Sequence, residues 1–140
     1  MADLVAQTAQ HAAHHTPRNK TVRRVGFGLD AVAILVFVVI GRSAHQHGLG
    51  VGGSASTLWP FAVGLGCAWL VELTSRRDPS RLRGGVEITV VTVALGMMLR
   101  VVSGQGTAPA FILVALGFLG ATMALWRVVA RVARRGLSQM

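Results

Sequence analysis

The fourteen cationic side chains of this sequence fall into clusters of four, one, four, one and four, with four apolar stretches between them. Arg18, Lys20, Arg23 and Arg24 come first, followed by Arg42 alone. Arg76, Arg77, Arg81 and Arg83 form the next group, then comes Arg100 alone, and Arg127, Arg131, Arg134 and Arg135 close the series. A guanidinium is costly in hydrocarbon without a partner, so the apolar stretches read as membrane spans and the clusters as their ends. Loops carried across a membrane are poor in Lys and Arg, which places the N-terminus, residues 74–83 and the C-terminus in the cytoplasm. The expected fold is all-α: a polytopic membrane protein with four transmembrane helices in a small bundle and both ends inside.

Composition narrows the alternatives. At 52% hydrophobic and 14% charged residues over 140 positions, the chain is too apolar for a soluble domain and too short for more than one folding unit. A net charge of +9 raises nucleic acid as a partner, but the charges flank apolar segments and form no stripe interleaved with aromatics. A bilayer with anionic headgroups is the simpler partner. Cys67 stands alone within an apolar segment, which excludes a disulfide framework and suggests a small buried packing residue. Thirteen Arg against one Lys, with abundant Ala, Gly and Val, points to a GC-rich bacterial genome and so to the plasma membrane. Asp3 precedes any basic residue and no cleavage site follows the first apolar run, so the first helix is expected to persist in the mature protein.

The expected division is a largely disordered basic tail over 1–24, a four-helix domain over 25–130 and a basic cytoplasmic end over 131–140. The helices are expected at about 25–44, 58–73, 84–102 and 107–127, with 45–57 as a Gly-rich external loop. Pro60 suits the first turn of the second helix, with Trp59 and Trp69 at its two headgroup boundaries. Thr107 suits an N-cap, with Pro109 in the turn that follows. The second and fourth helices open on similar words, Thr57-Leu58-Trp59-Pro60-Phe61 and Thr107-Ala108-Pro109-Ala110-Phe111, which is a weak sign of two parallel hairpins.

The residues that could carry chemistry are few. Asp30 needs a partner inside the bundle, and Arg127, at the same depth on the fourth helix, is the expected one, giving an ion pair that fixes register. Arg42 and Arg100 stand at the outer ends of the first and third helices without acidic neighbours. With His45, Gln105 and Thr107 they form a candidate ligand site on the outer face, against the plainer reading of arginines reaching for headgroups. Thr89, Thr92, Gly96 and Arg100 lie within about 80° on one helical face, a stripe that should meet protein or water. Gly64, Gly96, Gly117, Gly120 and Ala124 are candidate packing positions, and the small faces of the third and fourth helices are expected to make the closest contact.

Other chemistry finds little support. Residues 31–41, 60–71, 88–99 and 110–125 hold no ionisable side chain except Cys67, so a side-chain proton relay lacks intermediate sites. His11, His14 and His15 in the tail, and His45 and His47 beside Met97 and Met98, make poor metal or haem sets, and no cofactor or metal is expected. No G-x-S-x-G, H-E-x-x-H or P-loop occurs, so catalytic residues are not expected either.

Laid out in order, Asp30, Gly41-Arg42 with His45, Trp59-Pro60-Phe61 with Gly64 and Trp69, Gly96-Met97-Met98-Leu99-Arg100, Gly104-Gln105-Gly106-Thr107-Ala108 with Phe111, and Trp126-Arg127 resemble the domain of unknown function 3054 family. These are small bacterial membrane proteins common in actinobacteria, and the likeness covers about residues 25 to 130. It implies four helices and singles out Asp30, Arg42, His45, Arg100 and Thr107, but it carries no activity with it. The sequence therefore favours a small structural or accessory membrane protein, self-associating or part of a larger complex. The alternative is a transporter or channel for a small or anionic solute, and an enzyme comes third.

Overall fold

The computed structural model describes residues 18–44, 51–75 and 81–137. Four helices make up this part of the chain: α1 (Arg18–Ala44), α2 (Val51–Thr74), α3 (Leu82–Val102) and α4 (Pro109–Leu137). Among the described residues there is no strand. Each helix is long and apolar enough to cross a membrane, with mean hydropathy from 1.3 to 2.1 over its best window. The chain is a multi-pass membrane protein.

Successive helices run antiparallel, and α1 packs on α2 and α4 while α3 packs on α2 and α4, so the four form a closed ring, with the Phe61 and Phe111 rings meeting across it at 6.2 Å. Ile34, Phe37, Phe61, Leu65, Ile88, Ala115, Leu119 and Met123 fill the centre. Large apolar residues also cover the outside, Val32, Val39, Leu113 and Val114 among them, as expected of helices that are hydrophobic all round. Lipid is as apolar as these side chains, so association depends on close packing and on polar links between helices.

The closest packing is between α2 and α3. A Cβ on Gly64 would sit 2.6 Å from the Thr92 carbonyl oxygen and 3.2 Å from Thr92 Cα. One on Gly96 would sit 2.8 Å from the Phe61 ring. This corrects the expectation that α3 and α4 approach most closely. Gly120 has only ordinary contact with Thr89, at 3.8 Å, and a Cβ on Gly117 would meet nothing within 4 Å. A small hollow of about 200 Å³ remains between these helices, with Gly85, Thr89, Gly120 and Ala124 in its wall. Among the described residues Gly117 therefore packs against no neighbouring helix.

Helix boundaries also differ from the sequence reading. α1 begins at Arg18, inside the segment expected to be tail, because Asn19, Lys20 and Thr21 continue a helix whose cationic turns extend past the apolar run. α2 begins at Val51, so residues 51–57 are helix and not loop. Thr57 and Ser56 satisfy their hydroxyls on the Gly53 carbonyl, at 3.0 and 2.9 Å, which suits them to the helix interior. Pro60 consequently lies well inside α2, where its missing N–H removes one helical bond, to the Ser56 carbonyl. At α4 the Ala108 carbonyl accepts from Ile112 N, 3.2 Å, so Ala108 is the cap and Thr107 precedes it. Pro60 and Pro109 thus occupy different places in their helices, and the two similar words do not begin equivalent elements. Cys67 is exposed on α2, contrary to its expected burial.

Candidate functional site

Two places gather the polar residues, one at each end of the bundle. At the first, Asp30 of α1 is fully buried and accepts four hydrogen bonds. Arg127 of α4 approaches it fork to fork, Nη1 to Oδ1 at 2.9 Å and Nη2 to Oδ2 at 2.8 Å. Trp126 Nε1 donates to Oδ1 at 2.8 Å, and Trp69 Nε1 of α2 donates to Oδ2 at 3.1 Å. Arg127 Nη1 also donates to the Met123 carbonyl, 2.8 Å, and its guanidinium lies 4.3 Å from the Trp126 ring centre.

Two glycines make room for this cluster. A Cβ on Gly26 would meet Trp126 at 2.9 Å and Trp69 at 3.3 Å, so a bare α1 lets both indoles close over the carboxylate. A Cβ on Gly85 of α3 would meet Arg127 Cδ at 2.6 Å. All four helices therefore shape one clamp. Each carboxylate oxygen has two donors and a full opposite charge beside it, which makes the ion pair tolerable at this burial.

Sequence reasoning paired Asp30 with Arg127 and missed the indoles. Trp69, expected at a headgroup boundary, is 4% exposed and turned inward to Asp30. Trp69 and Trp126-Arg127 are among the residues that carry the family resemblance, which marks their positions and not their partners. Glu72, one turn beyond Trp69, is a second buried carboxylate at this end.

At the opposite end, α3 stops in a Schellman turn. Gly104 and Gly106 take φ of +72° and +70°, which favour glycine. Gly104 N donates to the Val101 carbonyl at 3.1 Å and Gln105 N to the Arg100 carbonyl at 2.9 Å. That turn carries Gln105 back over Arg100, and Arg100 Nη1 donates to Gln105 Oε1 at 3.0 Å. Gln105 Nε2 in turn donates to Ser103 Oγ, 3.1 Å. The Arg100 guanidinium also lies 4.8 Å from the centre of the Phe111 ring, on top of an aromatic group formed with Phe37 and Phe61. Half-buried Thr107 completes the turn.

Arg42 is held elsewhere. Its Nη1 donates to the Gly53 carbonyl of α2, 3.0 Å, and Gly53 has no room for a Cβ because the guanidinium lies there. The structure thus brings Arg100 and Gln105 together, with Thr107 nearby, and ties Arg42 to the start of α2. His45 and His47 lie outside the described residues, as do His11, His14, His15, Arg76 and Arg77. The Thr89, Thr92 and Gly96 stripe faces protein. Thr89 Oγ1 bonds the Gly85 carbonyl at 2.8 Å and Met123 Sδ at 3.4 Å, whereas Thr92 Oγ1 is buried without a hydrogen-bond partner.

A family described as proteins of unknown function, DUF3054, matches residues 27–130, a stretch that includes the Asp30 clamp and the Arg100 turn. The chain belongs to the DUF3054 family. No curated protein and no solved structure matches it. The DUF3054 segment ends just past Arg127, so the clamp falls within the matched region while the last two turns of α4 lie beyond it.

Proposed function

We propose that this protein is a small structural or accessory component of a bacterial plasma membrane, with both termini in the cytoplasm, and that it works by associating with itself or within a larger membrane complex. The observation that carries this reading is the Asp30 clamp. Its buried charges are used in joining α1, α2 and α4 to one another, which serves rigidity and register better than passage of a solute. The exposed small residues of α4 supply the second half of the reading. Gly117 and Ala121 are exposed on a helix otherwise walled by Leu and Val, a Cβ on Gly117 would meet nothing within 4 Å, and small residues let two backbones approach closely in lipid.

The test is extraction in a mild detergent, followed by mass measurement of wild type and Gly117→Leu. The wild type should run as an oligomer or with a stoichiometric partner, and Gly117→Leu should dissociate it without unfolding it. A wild-type monomer free of partners would remove the reading. One observation favours a second reading, a conduit for small anions: Arg100 Nε is buried without a hydrogen-bond partner, beside Gln105 and Thr107. Under that reading reconstituted vesicles should pass chloride, and Arg100→Ala should stop it. Wild-type vesicles that hold their chloride gradient would dismiss the conduit.

A further inference from the structure

A furrow of about 840 Å³ runs between the start of α1 and the end of α2, and its wall changes character along its length. It is open to the surroundings of the bundle. On α1, residues 20, 23, 24 and 27 recur at i, i+3, i+4 and i+7 and so share a face. This face offers Lys20, Arg23 and Arg24 near the helix end, with Phe27 one turn deeper. On α2, residues 66, 69, 70 and 73 repeat the same spacing and give an apolar wall. Counted from Asp30 at helical rise, the three cations lie roughly 9 to 15 Å toward the helix end. Among the described residues no carboxylate lines the furrow.

We propose that this furrow binds an anionic phospholipid, its phosphate held by Lys20, Arg23 and Arg24 and an acyl chain laid along α2. The polarity gradient matches such a molecule from headgroup to chain. A free phosphate would make no use of the apolar wall, and a zwitterionic lipid, whose ammonium offsets its phosphate, would leave the three cations without a net opposite charge. Gly66 gives the furrow its depth. A Cβ there would meet nothing within 4 Å, so the space in front of it is open to a ligand. Leu70, 61% exposed, flanks that space. The furrow also adjoins the clamp, because Phe27 meets Trp69 edge to face at 5.6 Å and Trp69 donates to Asp30. A seated lipid packs against the same indole that holds the carboxylate, which couples occupancy to stability.

This inference rests on residence in a membrane and is independent of self-association. Its test uses the full chain in a neutral detergent with phosphatidylglycerol, phosphatidylcholine or sodium phosphate added, reading thermal stability and lipid retained in native mass spectra. Phosphatidylglycerol should raise the midpoint and be retained, and the other two should do neither. Two variants approach the site from opposite ends: the Lys20→Gln, Arg23→Gln, Arg24→Gln triple removes the cations, and Gly66→Phe fills the furrow while keeping them. Each should weaken phosphatidylglycerol binding at least tenfold with the unliganded midpoint little changed. Equal retention of phosphatidylcholine, an equal shift from phosphate alone, or undiminished binding by Gly66→Phe would each overturn the proposal.

Discussion

Asp30 is held by donors from two other helices, and removing it takes the bidentate carboxylate away from Arg127, which is 1% exposed. Asp30→Ala should therefore destabilise the bundle by about 3 to 5 kcal/mol, read from reversible unfolding in detergent. The double variant Asp30→Leu, Arg127→Met removes both charges and should recover most of that loss, since apolar residues of similar size often replace a buried ion pair without cost. If the double variant is no better than the single one, the indoles and not the charge pair hold the site. Thr92 presents the opposite case, a buried hydroxyl without a partner beside the Gly64 contact. Thr92→Val keeps the shape and removes the desolvated group, so it should leave stability unchanged or raise it by about 1 kcal/mol. A clear loss in the same unfolding measurement would show that the hydroxyl has a bonding role. Of these residues, Asp30 and Arg127 were legible in the sequence because a lone carboxylate in an apolar run demands a cation at its own depth. Trp69 was not, because an indole near a span's end fits the headgroup boundary as readily as an inward hydrogen bond.

Between elements, glycine decides which helices can meet, and its position in sequence does not say which glycine is used. Gly64, Gly96, Gly117 and Gly120 all fit a small-residue packing pattern, yet only the first two lie where a Cβ would enter a neighbour at under 3.0 Å. Periodicity marks a face but not its partner, and in lipid there is no burial of apolar area to identify the inward face. The same limit explains the helix ends. Charge clusters located the spans, while α1 and α2 run on into residues 18–24 and 51–57, because Lys20, Thr57 and Ser56 tolerate a helix whose backbone bonds are already satisfied internally. Gly64→Val provides the test at this scale. Its side chain meets the Thr92 backbone, which cannot rotate away, so α2 and α3 must separate at a cost of about 1 to 3 kcal/mol. Gly28→Val, on an open face of α1, meets nothing within 4 Å and serves as the control. Equal effects on the unfolding midpoint would mean that helix propensity, and not the α2–α3 contact, dominates.

For the molecule as a whole, the ring of four helices has the start of α1, the end of α2, the start of α3 and the end of α4 at the Asp30 end. Among the described residues Lys20, Arg23, Arg24, Arg81, Arg83, Arg127, Arg131, Arg134 and Arg135 lie at that end and Arg42 and Arg100 at the other, so inserting the bundle upside down would carry most of this charge across the bilayer. Loops carried across a membrane are poor in Lys and Arg, so the expected orientation keeps that end in the cytoplasm. The two ends can be distinguished with single cysteines in a Cys67→Ala background, which is required because Cys67 is exposed in the chain. Ser103→Cys lies in the exposed turn after α3, and Ser75→Cys lies at the exposed end of α2. A membrane-impermeant maleimide added to intact cells should label position 103 and reach position 75 only after lysis. The reverse pattern would turn the bundle over and move the basic furrow to the outer leaflet. Labelling of both positions in intact cells would mean that copies insert in both directions, in which case the clusters no longer fix topology and an antiparallel pair becomes the unit whose interface must be found.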